Sequence, residues 1–252
     1  MIALEFPEIN SLLRWKDLFP TFNKIALIAV LAAVISITIF GLAARKQKSE
    51  APKGVRNLAE TIVEFIENGV IMQTMGKEGL AWTPFLLTVF MFIYLCNVPG
   101  IIPFFQMPAT ARMAVPMFLA LLVWVVFNAT GIKHQGLFGY LKSVMFPPGV
   151  PKALYILVTP IEIISTLLVR PFSLAVRLFA NMLAGHILLV TFALLSEALF
   201  QARDKALIPA GILPMFMLIF LTSFEVLVAF LQAYIFSMLA AVYIGGAAHP
   251  EH

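Results

Sequence analysis

The chain has 252 residues, 61% hydrophobic and only 12% charged, with a mean hydropathy of +0.96. A soluble domain carries about 25% charged residues, so a water-exposed globule is excluded and a bilayer is the expected solvent. The net charge of +4 does not signal nucleic acid, because basic residues gather at the ends of apolar runs and form no stripe interleaved with aromatics.

Residues 1–15 show no succession of basic leader, apolar core and cleavage site, so the first span reads as an uncleaved anchor. Residues 25–44 are uncharged and are followed by Arg45, Lys46 and Lys48. About 20 residues cross a bilayer as a helix, which predicts span one over 22–45 with its end in the cytoplasm. Over 51–76, Val55, Leu58, Ile62, Phe65 and Ile66 share one stripe, and Arg56, Glu60, Glu64 and Glu67 lie on the other side. That pattern predicts an amphipathic helix along the membrane surface, or one packed on a soluble partner.

Span two is expected over 81–102, with Asn97, Pro99, Gly100 and Pro103 punctuating its outer end. Cys96, the single cysteine, reads there as a small buried hydrophobe. Span three is expected over 113–132. Lys133, His134, Lys142 and Lys152 then form a second basic segment, and Gly136, Gly139, Pro147, Pro148 and Pro151 predict a loop there rather than a helix.

The last hundred residues carry the polar exceptions. Residues 153–200 contain Glu162, Arg170, Arg177, His186 and Glu197; after the polar turn Gln201, Arg203, Asp204, Lys205, Glu225 and Gln232 interrupt 209–245. As one helix, 153–200 would be ~72 Å long against a hydrocarbon layer of ~30 Å. It must bend and incline, with Pro160 and Pro171 as places to bend, or divide into two spans at Arg170-Pro171. The expected fold is an all-α integral membrane protein: three ordinary transmembrane helices, one membrane-surface amphipathic helix and a long inclined two-helix hairpin, in one membrane domain. The N-terminus is expected outside and the C-terminus in the cytoplasm.

An arginine at mid-membrane costs about 2.5 to 3.5 kcal/mol or more. Arg170 is near enough to an end to snorkel; Arg177 sits two turns deeper between apolar flanks. With the turn near Asp204, Arg177 and Gln232 fall at one depth, and His186 and Glu225 at another. Asn181 shares the face of Arg177, whereas His186, nine residues on, is half a turn out of phase. With straight helices both pairings cannot be ideal. Histidine and glutamate, with ordinary pKa values of ~6.5 and ~4.3, suit proton relay; the alternative is a buried pair that orders the hairpin. Glu162, with Ser165, lines an inner water path or is merely solvated near a helix end.

Residues 173–186, Ser-Leu-Ala-Val-Arg-Leu-Phe-Ala-Asn-Met-Leu-Ala-Gly-His, resemble the signature helix of the F-type ATP synthase a-subunit family, bacterial type. Residues 231–236, Leu-Gln-Ala-Tyr-Ile-Phe, resemble that family's last-helix motif, and 97–103 and Pro160-Ile161-Glu162 also fit. The resemblance implies a multi-pass stator subunit in a bacterial plasma membrane, beside a ring of c-subunits. It is held by the b-subunit peripheral stalk and reaches the F1 sector through it. Two offset half-channels would deliver protons to a ring carboxylate and remove them. Arg177 matches the essential arginine facing the ring, and Asn181 and Gln232 its polar neighbours. His186 and Glu225 match a pair lining the outer half-channel, and Asn97 another position there. Some members carry the His and Glu exchanged between the two helices.

A guanidinium stays charged and cannot relay a proton, so it favours the ionised form of a passing carboxylate and blocks direct leakage. No Walker-type loop is present, so the ATP chemistry belongs to partners and the chain is not itself an enzyme. No cofactor or metal is expected: two of the four histidines, His249 and His252, are in the tail. A secondary transporter would show internal repeats, and none is evident. A respiratory-chain membrane subunit would need cofactor ligands, and a scaffold would leave the cost of Arg177 unexplained.

Overall fold

The computed structural model describes residues 24–44, 54–102, 108–146, 154–201 and 205–248. The expectations for the N-terminus, Arg45, Lys46 and Lys48, Pro103, Pro147 to Lys152, Arg203 and Asp204, and the tail histidines lie outside these residues. Every element among them is helical, and five helices are long and apolar enough to cross a membrane.

Helix α1, Lys24–Ala44, is apolar all round and buries only Ile28 and Ala32, against Cys96 and Ala109. Helix α2, Val55–Ile66, continues through a π-turn, Glu67–Ile71, and a last turn, Met72–Thr74. Ile66, Val70 and Ile71 point into the core, whereas Val55 and Leu58 at its start stay exposed. On its polar side Arg56 pairs with Glu60 at 2.7 Å. Glu67 turns instead toward the next element, where Thr83 Oγ1 donates to its Oε1 at 3.2 Å.

Helix α3, Thr83–Asn97, starts with Pro84 in its first turn, where the missing N–H costs nothing. It ends in the short 3-10 turn Val98–Gly100. Element α4, Ala114–Met145, corrects the loop expected after residue 132: two helical pieces joined at Gly136 run to Met145. The break lies at Gly136, with φ 73° and ψ 162°, a conformation open to glycine and strained for other residues. The chain then folds back so that the Tyr140 ring occupies the space a side chain at Gly131 would need. Tyr140 Oη donates to Asn128 Oδ1 at 2.9 Å, and Gln135 Nε2 donates to the Ala247 carbonyl at 2.8 Å. Glycines and basic residues that read as a loop instead mark a bend between two helical pieces.

Helix α5, Tyr155–Ile164, runs through a π-turn, Ser165–Val169, into α6, Arg170–Phe200, without a reversal at Arg170-Pro171. Pro171 has no N–H for the carbonyl of Leu167, which favours the wider turn there. Trp124 Nε1 donates to the Thr166 carbonyl in that turn at 3.3 Å. Helix α7, Ile212–Ala248, packs against α3, α4 and α6. Ala229, Ala233, Ala240 and Ala241 are its contact points and are all fully buried. In lipid there is no hydrophobic drive between helices, so small residues that let backbones approach supply the packing. The outward surface is apolar, with Ile37, Phe138 and Ile156 among its most exposed residues.

Candidate functional site

Helices α6 and α7 lie antiparallel along one another. Their register is set by small residues. A Cβ at Gly185 would stand 3.1 Å from Glu225 Oε1, and one at Gly211 would meet Leu199 and Phe200 at 3.1 to 3.3 Å. Both contacts centre the reversal near residue 205, one position from the expected Asp204. One turn along from Glu225, Met182, Ala229 and Ala111 form a buried cluster.

Glu225 and His186 are each 5% exposed, at this same level. Neither carboxylate oxygen of Glu225 accepts a hydrogen bond from any described residue. The two side chains share a layer without bonding to each other. A buried carboxyl without a partner is costly.

Asn97 is 1% exposed and engaged at both ends of its amide. Its Nδ2 donates to the Ala229 carbonyl at 3.4 Å, and its Oδ1 accepts from Thr110 Oγ1. It therefore ties the end of α3 and the segment at 109–111 to α7, one turn from Glu225.

Arg177 points the other way. Leu174, Ala175, Leu178 and Met182 bury one face of α6, and Arg177 stands exposed on the opposite one. Among the described residues it has no hydrogen-bond or ion-pair partner. Ala180, Asn181, Ala184 and Leu188 continue the same exposed stripe. The α6–α7 register places Arg177 level with Ala233, beside Gln232. Gln232 is nevertheless 6% exposed and does not bond to it. Arg177 and Gln232 share a level along the hairpin but not a direction, so the two expected pairings do not compete for one face.

At the other end of α6, Arg170 Nη2 donates to Glu162 Oε1 at 3.0 Å, and the guanidinium lies 5.4 Å from the centre of the Tyr243 ring. In a regular helix residues seven apart share a face. The π-turn inserts one residue, so Glu162 and Arg170, eight apart, come together. Glu197 is exposed and accepts from Gln201 Nε2 at 3.0 Å. Sequence reasoning did not single out Gly185, Thr110, Trp124 or Tyr243. A glycine beside a membrane histidine was a usable signal for the first; the others reveal themselves only through tertiary contacts.

The family described as ATP synthase A chain matches residues 26–245. An ATP synthase subunit a of Frankia alni is 44% identical over 232 residues, covering 91% of this chain and 79% of the relative. Those of Rhodococcus erythropolis and Maricaulis maris are each 41% identical, over 91% and 92% of this chain and 83% and 90% of the relatives.

Proposed function

Because the chain belongs to the ATP synthase A chain family, we propose that it is the stator subunit that passes protons to and from a rotor carboxylate, driving rotation coupled to ATP synthesis. The observation that carries this reading is Arg177: a permanent cation on an apolar helix surface with no partner among the described residues. A lipid-facing arginine is unfavourable, so that surface calls for an anionic neighbour. A ring of c-subunits, each carrying one membrane carboxylate, supplies it. Asn181, Ala180 and Ala184 give the ring a surface of small side chains, which allows close approach.

His186 and Glu225 form the entry side of the path. They hold and release protons between the outer surface and the rotor carboxylate. Asn97 fixes the local backbone and Gln232 is a buried polar neighbour at the depth of Arg177. When the ring carboxylate reaches Arg177, the guanidinium stabilises its ionised form and the proton departs. Departure runs toward the end that carries Glu162 and Arg170. The subunit itself performs no ATP chemistry; it works with the c-ring, the b-subunit stalk and, through the stalk, the F1 sector. In this reading the N-terminus is outside and the C-terminus cytoplasmic.

Cysteine cross-linking tests the docking surface. A cysteine at Asn181 or Ala184, in a Cys96→Ala background, should form a disulfide with one placed beside the rotor carboxylate. Cysteines on the buried face, at Leu178 or Met182, should not. Equal cross-linking from both faces would contradict the reading.

A further inference from the structure

Arg170 and Arg177 are the two Lys or Arg residues of α6, and they are seven residues apart in its regular part. They therefore project from the same side, two turns or ~10.5 Å apart. The stripe that carries Arg177 thus carries a second guanidinium along the same helix. The two differ in what surrounds them. Arg177 has no partner among the described residues, while Arg170 is held by Glu162 at 3.0 Å and drawn over the Tyr243 ring.

We propose that Glu162 is a charge-compensating residue that silences Arg170, so that a carboxylate moving along this face meets a single positive centre at Arg177. The inference rests on the functional reading above. Its physics is simple. At an effective dielectric of about 20, a free charge ~10 Å away still alters the occupancy of an ionised carboxylate by roughly tenfold. Paired with Glu162, Arg170 contributes only a dipole field, which falls off faster. Without the Glu162 charge, Arg170 becomes a second attractor two turns from the first, and it holds the passing carboxylate out of position. The π-turn at Ser165–Val169 makes the pairing possible, because it rotates Glu162 onto the Arg170 side. Trp124 and Tyr243 hold that turn and that guanidinium from α4 and α7.

The experiment compares Glu162→Gln, Arg170→Gln and the double variant in the assembled complex, reconstituted in vesicles, with ATP synthesis driven by an imposed proton gradient. Glu162→Gln should slow synthesis roughly tenfold, and Arg170→Gln, which leaves the Glu162 anion bare to repel the passing carboxylate, should slow it by a comparable factor. The double variant should return to within about twofold of the native rate, because the unmasked charge is gone. A double variant as slow as Glu162→Gln would mean that the carboxylate is needed for its own sake, as relay or brace, and would overturn the inference. So would an unimpaired Glu162→Gln complex. Arg177→Ala run alongside separates the two levels. Synthesis that survives Arg177→Ala defeats the functional reading itself; synthesis lost there but normal in Glu162→Gln defeats only the compensation.

Discussion

Gly185 lies directly against the carboxylate of Glu225: a methyl group there would stand 3.1 Å from Oε1. The glycine is therefore part of the Glu225 site. Its lack of a side chain lets α7 bring a carboxyl up to α6 at the level of His186.

Gly185→Ala should push Glu225 by a few tenths of an ångström and lower proton-driven synthesis modestly. Gly185→Val should cost about 1 to 3 kcal/mol in packing and remove most of the coupled rate. The check is the synthesis rate per assembled complex together with thermal stability of the purified complex. A Gly185→Val complex with native rate and stability would show that the contact is slack.

Glu225→Gln replaces a buried, unpartnered acid with a neutral side chain of the same shape. It should leave assembly intact or slightly stabilised and lower proton conduction by roughly a hundredfold, in the range of a lost acid-base group. Exchanging the pair, His186→Glu with Glu225→His, should retain far more conduction than either single replacement. Passive proton flux through membranes stripped of the F1 sector measures this directly.

The transmembrane runs and the polar exceptions were legible because charge depletion and isolated ionisable residues are one-dimensional signals. The hairpin register came close for the same reason: helical rise is fixed, and Gly185 meets Glu225 two residues from the Ser223 that a turn centred on Asp204 would place there. Direction was harder. Whether Gln232 turns toward Arg177 depends on how α7 is rotated by its alanine contacts with α3 and α4, which lie far apart in sequence. The segment after residue 132 misled because glycine punctuates loops and sharp helix bends alike; the Tyr140 ring seated on Gly131 is a tertiary fact. The partnership of Glu162 and Arg170 was hidden for a related reason. Eight residues is the wrong spacing for a regular helix, and the right one across a π-turn.

Asn97→Ala should act on stability rather than chemistry. It strips a buried hydroxyl, Thr110 Oγ1, of its acceptor and frees the Ala229 carbonyl contact, at about 1 to 3 kcal/mol. The yield and melting temperature of the complex should fall, while the rate per surviving complex stays near native. A fully stable complex with slowed proton entry would instead give Asn97 a direct part in the path.

Trp124→Phe keeps an aromatic side chain but removes the N–H that reaches the Thr166 carbonyl, together with the rest of the five-membered ring. The expected loss is about 0.5 to 1.5 kcal/mol, felt locally. Amide hydrogen exchange over 165–171 should speed up severalfold, with exchange in α7 unchanged. Uniform acceleration across both helices would mean the indole braces the whole bundle.

The central claim is most directly tested at position 177. The Arg177→Ala subunit, assembled with its partners in sealed vesicles, should insert and co-purify normally yet produce no ATP from an imposed proton gradient. ATP production at the native rate, with the variant stoichiometrically present in the complex, would contradict it.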